Sequence, residues 1–214
     1  MKVVLLHAFP LDERMWEPQL DALAEEDVYV PSFYDLGGNS VDGWAEHVLE
    51  RADGDLVAVG ASLGGYVAFA MARAAPDRVK ALLVAGARAT ADPPDRRAAR
   101  EEMIRVVLAE GIEGWNREFS PPGPDDRTTE ELVRGIEALR DRRDATDVVA
   151  SFAGPLTVVV GDRDEILPVD EARQIAESAP DGLFEVVEGA GHVVSVDAPE
   201  RFNEILRELL SRAR

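Results

Sequence analysis

Short, almost continuous apolar runs alternate along this chain with longer stretches in which apolar residues recur every three or four positions. The runs at residues 3–7, 28–33, 56–61, 79–85, 156–160 and 183–187 are of strand length and lack a polar face. That pattern suits strands of a parallel sheet covered on both sides. Between them, residues 16 to about 25, 41–52, 66–75, about 169–178 and 199–212 carry helical spacing. Pro76 stops the alanine-rich third helix, where small side chains permit close packing on a sheet. Alternating strands and helices predict an α/β fold with a mostly parallel six-stranded sheet and right-handed crossovers.

The alternation breaks between Ala87 and Ala150. This segment is charged but keeps a helical period, through Met103-Ile104-Val107-Leu108, Trp115 and Phe119, then Leu132-Val133-Ile136-Leu139. It reads as an inserted helical cap, residues 87–150, on a core built from residues 1–86 and 151–214. The stretch Ser120-Pro121-Pro122-Gly123-Pro124 divides the cap into two lobes, since prolines at that density cannot continue a helix.

At 214 residues with 46% hydrophobic composition, one domain with a substantial core is expected. The chain has no cysteine, which excludes disulfides, thiolate metal sites and a cysteine nucleophile. A net charge of −19 repels polyanions, so nucleic acid is not an expected partner. No signal peptide or apolar stretch of membrane-spanning length is visible, and cytoplasmic residence is expected.

The chemistry concentrates at Gly60-Ala61-Ser62-Leu63-Gly64, directly behind an apolar run and ahead of a helical stretch. A Gly-x-Ser-x-Gly turn there lifts a serine hydroxyl above the sheet in a strained conformation, with small neighbours because side chains would collide. Gly60, Gly64 and Gly65 do not make a dinucleotide fingerprint, and no Gly-Lys-Ser/Thr follows for a P-loop.

A serine nucleophile needs a base, and the chain has three histidines. His47 has charged neighbours Glu46 and Glu50, as on a solvated helix. His7 ends the first strand, where a structural hydrogen bond is the expected role. His192 lies in a glycine-rich loop straight after the last strand, which can carry an imidazole over the sheet edge. Asp164, after the preceding strand, is the chosen partner for that imidazole. Asp162 is the alternative, with loop bracing as its more plausible role.

Taken in order, His7-Ala8-Phe9-Pro10, Gly60 to Gly64, Gly161 to Asp164 and Gly189 to His192 resemble the motifs of the α/β-hydrolases. Ser62, Asp164 and His192 follow that family's order. The resemblance implies a minimal α/β-hydrolase with a Ser62–His192–Asp164 triad and an oxyanion hole from the backbone N–H groups of Phe9 and Leu63. Two departures are Ala8 where glycine is frequent, and the absence of an N-terminal hairpin before the first strand.

A serine nucleophile argues against that family's dehalogenase and epoxide hydrolase branches. A carboxylesterase acting on small to medium carboxylic esters through an acyl-enzyme is the central expectation, with no metal or organic cofactor. Lactone, enol-lactone or C–C bond hydrolysis, and a non-catalytic binding module, are the alternatives. Trp115, Phe119, Met103 and Ile136 of the cap, with Ile166, Leu167 and Val193 of the loops, are the expected apolar pocket. Two arginine clusters, Arg96, Arg97 and Arg100 with Arg140, Arg142 and Arg143, either form surface ion pairs or dock an acidic carrier protein or a carboxylate-bearing substrate.

Overall fold

A computed structural model of the chain describes residues 1–119 and 123–214. Among these residues, six strands form one sheet: β1 (Lys2–Leu6), β2 (Asp27–Tyr29), β3 (Leu56–Ala61), β4 (Val79–Ala85), β5 (Leu156–Gly161) and β6 (Gly182–Val187). They lie in the order β2-β1-β3-β4-β5-β6, and every neighbouring pair is parallel. The chain leaves β1 toward one edge and returns to β3 on the other side. Crevices for ligands open at such a reversal, outside the carboxyl ends of the strands.

Period-two alternation assigns each strand to two apolar layers. Val4, Leu6, Leu56, Ala58, Leu82 and Val84 enter one layer. Val3, Leu5, Val57, Val59, Leu83 and Ala85 enter the other. The first is covered by α2 (Val41–Arg51), α3 (Leu63–Ala74) and α7 (Val169–Ser178), which bring Trp44, Phe69 and Ile175. The second is covered by α9 (Pro199–Ala213), after the short α8 (Val194–Asp197), and by the segment around α1 (Glu17–Leu20). Trp16 and Phe202 meet there with ring centroids 5.8 Å apart.

The first predicted helix is instead a 3₁₀ turn at Glu13–Trp16, α1, and a second 3₁₀ turn at Asp21–Leu23. The second strand stops at Tyr29 rather than reaching Phe33. Pro31 has no N–H for a ladder, and the Phe33 N–H bonds His7 Nε2 at 3.0 Å. α3 begins at Leu63, three residues before the alanine-rich run that announced it.

Among the described residues, three helices separate β4 from β5: α4 (Pro94–Glu118), α5 (Thr129–Asp141) and α6 (Thr146–Ser151). α4 is broken at Gly111, whose φ of 60° and ψ of −146° are non-helical. α5 starts with a capping box in which Thr128 and Glu131 exchange side-chain and backbone hydrogen bonds. Of the proline-rich divider, Ser120, Pro121 and Pro122 lie outside the described residues, while Gly123 donates its N–H to Asn116 Oδ1 at 2.8 Å. Buried Arg127 joins this segment to the loop after β1 through an ion pair with Asp12.

Candidate active site

Five strand ends converge on one rim. At the end of β3, Ser62 has φ 49° and ψ −111°, the one non-glycine residue with positive φ among those described. Its neighbours leave no room for side chains. A Cβ at Gly60 would stand 2.3 Å from the backbone of Gly64, and one at Gly64 only 2.0 Å from the Leu6 carbonyl oxygen. The turn is pinned by the Ser62 N–H donating to the Ala85 carbonyl at 2.7 Å. The geometry holds the serine at the start of α3, with its side chain facing the loops beyond β4, β5 and β6.

His192 reaches it from the loop after β6. Its Nε2 is 2.8 Å from Ser62 Oγ, and its Nδ1 lies 2.9 Å from Asp164 Oδ2 and 3.0 Å from Oδ1. The loop is braced twice, by Gly189 N–H donating to Asp162 Oδ1 at 2.7 Å and Gly191 N–H donating to Asp197 Oδ2 at 2.8 Å. Asp162 thus touches the loop backbone while Asp164 touches the ring.

The Asp164 side chain is fully buried. Burial pushes its carboxyl up, but the hydrogen bond and charge of His192, with the backbone N–H groups of Leu167 and Ile166, outweigh that and hold it below the usual carboxylate range. Those N–H groups donate to Oδ1 at 3.0 and 2.7 Å. An anionic Asp164 accepting from Nδ1–H leaves Nε2 as the acceptor for the serine hydroxyl.

His7 takes no part in this chain. It is fully buried, with Nδ1 3.0 Å from the Ala8 carbonyl oxygen and Nε2 accepting from the Phe33 N–H. Burial, partly opposed by the Ala8 hydrogen bond, pushes its pKa down to about 4. His47 is half-buried on α2, with Nδ1 2.7 Å from the Gly43 carbonyl oxygen.

A cavity of about 40 Å³ lies against Ser62 and His192. Phe9, Tyr66, Gly86, Arg96, Arg100, Trp115, Leu139 and Ile166 complete its wall. Of the expected apolar pocket, Trp115 and Ile166 are therefore on this wall. Val193 lines a second depression, which shares Ile166 and His192 with this cavity. Phe119 packs on Trp115 with the rings tilted by 46° and centroids 4.9 Å apart. Met103 is half-buried behind the wall against Arg100, and Ile136 and Leu167 are fully buried in the core.

Phe9 is wedged by the insertion. Its ring meets Trp115 edge-on at 4.9 Å, and a Cβ at Gly135 would come within 2.3 Å of its Cδ2. Leu63 opens α3, where first-turn N–H groups have no helical carbonyl to bond.

The larger depression of about 600 Å³, between Arg73, Lys80, Asp147 and Phe152, lies by the start of β4 and just ahead of β5. That is the opposite end of the sheet from Ser62. No group of three or more His, Asp or Glu side chains that could hold a metal ion occurs among the described residues. Nor is any helix among them long and apolar enough to cross a membrane.

Tyr66, Gly86, Arg96, Arg100 and Leu139 are wall residues that the pocket expectation left out. Arg96 and Arg100 belong to the first arginine cluster of the sequence, and spacing separates them from Arg97. Residues 96 and 100 are one helical turn apart and share a face, whereas residue 97 points elsewhere.

A parallel sheet with a serine at a strained strand-to-helix turn and helices inserted after the fourth strand defines an α/β-hydrolase. The chain belongs to the alpha/beta hydrolase family, whose family model matches residues 3–205. It is 31% identical to a pimeloyl-[acyl-carrier protein] methyl ester esterase of Klebsiella pneumoniae, over 83% of this chain and 70% of that protein. A protein of Azorhizobium caulinodans named as a carbamate hydrolase, RutD, is 26% identical over 89% of this chain and 84% of its own length. Among solved structures, a malate-bound thermophilic esterase from Thermogutta terrifontis superimposes with a TM-score of 0.86 at 29% identity, covering 100% of this chain and 90% of the esterase.

Proposed function

We propose that this protein is a serine carboxylesterase with Ser62 as nucleophile, His192 as base and Asp164 as the carboxylate that orients it. The observation that carries the reading is the continuous hydrogen-bonded chain from Ser62 Oγ through both His192 nitrogens to Asp164. In it, Ser62 Oγ attacks the ester carbonyl as its proton passes to His192 Nε2. The C–O bond to the alcohol breaks, His192 returns the proton to the departing oxygen, and an acyl-serine remains. Water, giving its proton to Nε2, then cleaves the acyl-serine and restores the hydroxyl.

The tetrahedral oxyanion would sit between the backbone N–H groups of Leu63 and Phe9. Loss of one such donor typically costs about 10²- to 10³-fold in rate. We assign residues 87–150 as a cap whose contact with Phe9 fixes one side of that hole. The 40 Å³ cavity favours short acyl groups, since each water-sized volume needs about 10–15 Å³. An acidic carrier protein as part of the substrate has less support. Arg97 and Arg140 pair with Asp141, Arg140 also pairs with Glu101, and Arg142 is buried against Asp92.

The test is labelling by a fluorophosphonate together with hydrolysis of 4-nitrophenyl acetate. Labelling and turnover in the wild type, both lost in Ser62→Ala, are expected. An unlabelled, inactive wild type would leave a binding module of hydrolase fold.

A further inference from the structure

Arg96 sits on the wall of the cavity beside Ser62, yet among the described residues it forms no ion pair or hydrogen bond. Its neighbours are all committed. Arg88 is buried against Glu171 at 2.9 Å and also donates to the Ile166 carbonyl. Arg142 pairs with the fully buried Asp92 at 2.6 Å, and Arg100 with the same carboxylate at 3.3 Å. Arg97, next in sequence, is paired with Asp141 at 2.8 Å on the outer surface. Three guanidiniums, Arg88, Arg100 and Arg142, thus share two carboxylates, Glu171 and Asp92, and Arg96 is left over on the cavity wall that also holds the serine.

Among the described residues, no acidic side chain lines the cavity. In a chain with 42 acidic against 23 basic residues, a pocket walled by two arginines and no acid runs against the composition. Half-burial of Arg96, followed by repulsion from Arg88 and Arg100, lowers its pKa, against partial help from Asp92 and Tyr66. A partly desolvated cation without a direct ion-pair partner among the described residues is a cost to the fold that an anionic ligand would relieve. A guanidinium matches a carboxylate through two parallel N–H donors, and such charge-assisted pairs are the stronger hydrogen bonds.

Resting on the serine esterase reading above, we propose that Arg96, flanked by Arg100, binds a carboxylate carried by the substrate. The preferred substrates are then short half-esters of dicarboxylic acids. The cavity is narrow, so the two ends of such a molecule, ester carbon at Ser62 and carboxylate at Arg96, are held by the same small wall. Arg100 adds positive potential while its own ion pair with Asp92 keeps it in place.

The experiment compares kcat/KM for monomethyl succinate with that for methyl butyrate, in which a methyl group replaces the carboxylate. Monomethyl malonate and monomethyl glutarate extend the series to other chain lengths. The readout is the ratio of anionic to neutral ester, measured in the wild type, Arg96→Met, Arg96→Lys and Arg97→Met. The wild type should favour at least one anionic ester, and Arg96→Met should lower that ratio about ten- to a hundredfold, the range for losing a charge-assisted hydrogen bond. Arg96→Lys should recover part of it, and Arg97→Met should keep it.

A ratio unmoved by Arg96→Met, or lowered equally by Arg97→Met, would overturn the assignment while leaving the esterase reading intact. A wild type that hydrolyses none of these esters and is not labelled by a fluorophosphonate would overturn both.

Discussion

The imidazole of His192 rests against the backbone of Gly86, so closely that a Cβ there would lie 3.0 Å from Cε1 and 2.9 Å from the His192 carbonyl oxygen. Gly86 also holds a φ of +66°, which side-chain-bearing residues rarely adopt. Gly86→Ala should therefore push the ring away from Ser62. We expect kcat to fall at least about tenfold, as displacement of a reacting group by about 1 Å can cost 10²-fold. Steady-state kinetics with 4-nitrophenyl acetate checks this, and a variant with wild-type kcat would show that the ring is positioned by other contacts.

Two neighbouring aspartates should separate by role. Asp164→Asn leaves the geometry in place but offers an amide where Nδ1–H needs a carboxylate, and should lower kcat by roughly 10⁴, as in the handling of a triad acid elsewhere. The Asp162 side chain accepts from the Gly189 N–H of the histidine loop. Asp162→Asn keeps an acceptor oxygen there, so kcat should stay within about tenfold of wild type, given that a neutral hydrogen bond is worth about 1 kcal/mol. The reverse ranking in kcat would move the acid to Asp162.

The strained serine predicts a trade of stability for position. A non-glycine residue at φ 49°, ψ −111° costs of order 1–3 kcal/mol, a strain that glycine lacks. Ser62→Gly should be about 1 kcal/mol more stable to urea than Ser62→Ala, with neither variant labelled by a fluorophosphonate. Equal unfolding midpoints would mean that the turn stores little strain.

His7 predicts an acid sensitivity separate from catalysis. Its folded pKa of about 4 lies below the ordinary 6.5, so the unfolded chain binds the extra proton more readily. The stability from neutral His7 is complete above pH 6.5 and is lost as pH falls toward 4, by roughly 3 kcal/mol. Urea unfolding of wild type and His7→Asn at pH 8, 6 and 4 tests it. The wild type should lose more between pH 8 and 4 than the variant, and parallel curves would remove His7 as the cause.

Much of the frame was legible because its signals are local. β3, β4 and α7 begin and end where apolar runs and helical spacing put them. The family was likewise readable from four short motifs in order. What the sequence concealed depends on tertiary partners. β2 is cut short because a distant histidine takes the Phe33 N–H, and the helix after Ser62 starts early because Gly64 and Gly65 are needed for packing against Leu6 and Ala87, whatever their helix propensity. In the sequence the six arginines between β4 and β5 form two clusters. Only their pairing distinguishes Arg97, Arg140 and Arg142, which are matched by carboxylates, from Arg96, which is not.

The six-stranded order has an evolutionary corollary. Ser62, His192 and Asp164 are set by turns leaving β3, β6 and β5, whereas Arg96, Arg100, Trp115 and Leu139 all come from the single excursion between β4 and β5. On the proposed roles, bond-breaking groups and substrate-selecting groups are thus encoded in separable stretches of gene. Recombination that swapped this one excursion would retune what the protein accepts and leave inherited reactivity untouched.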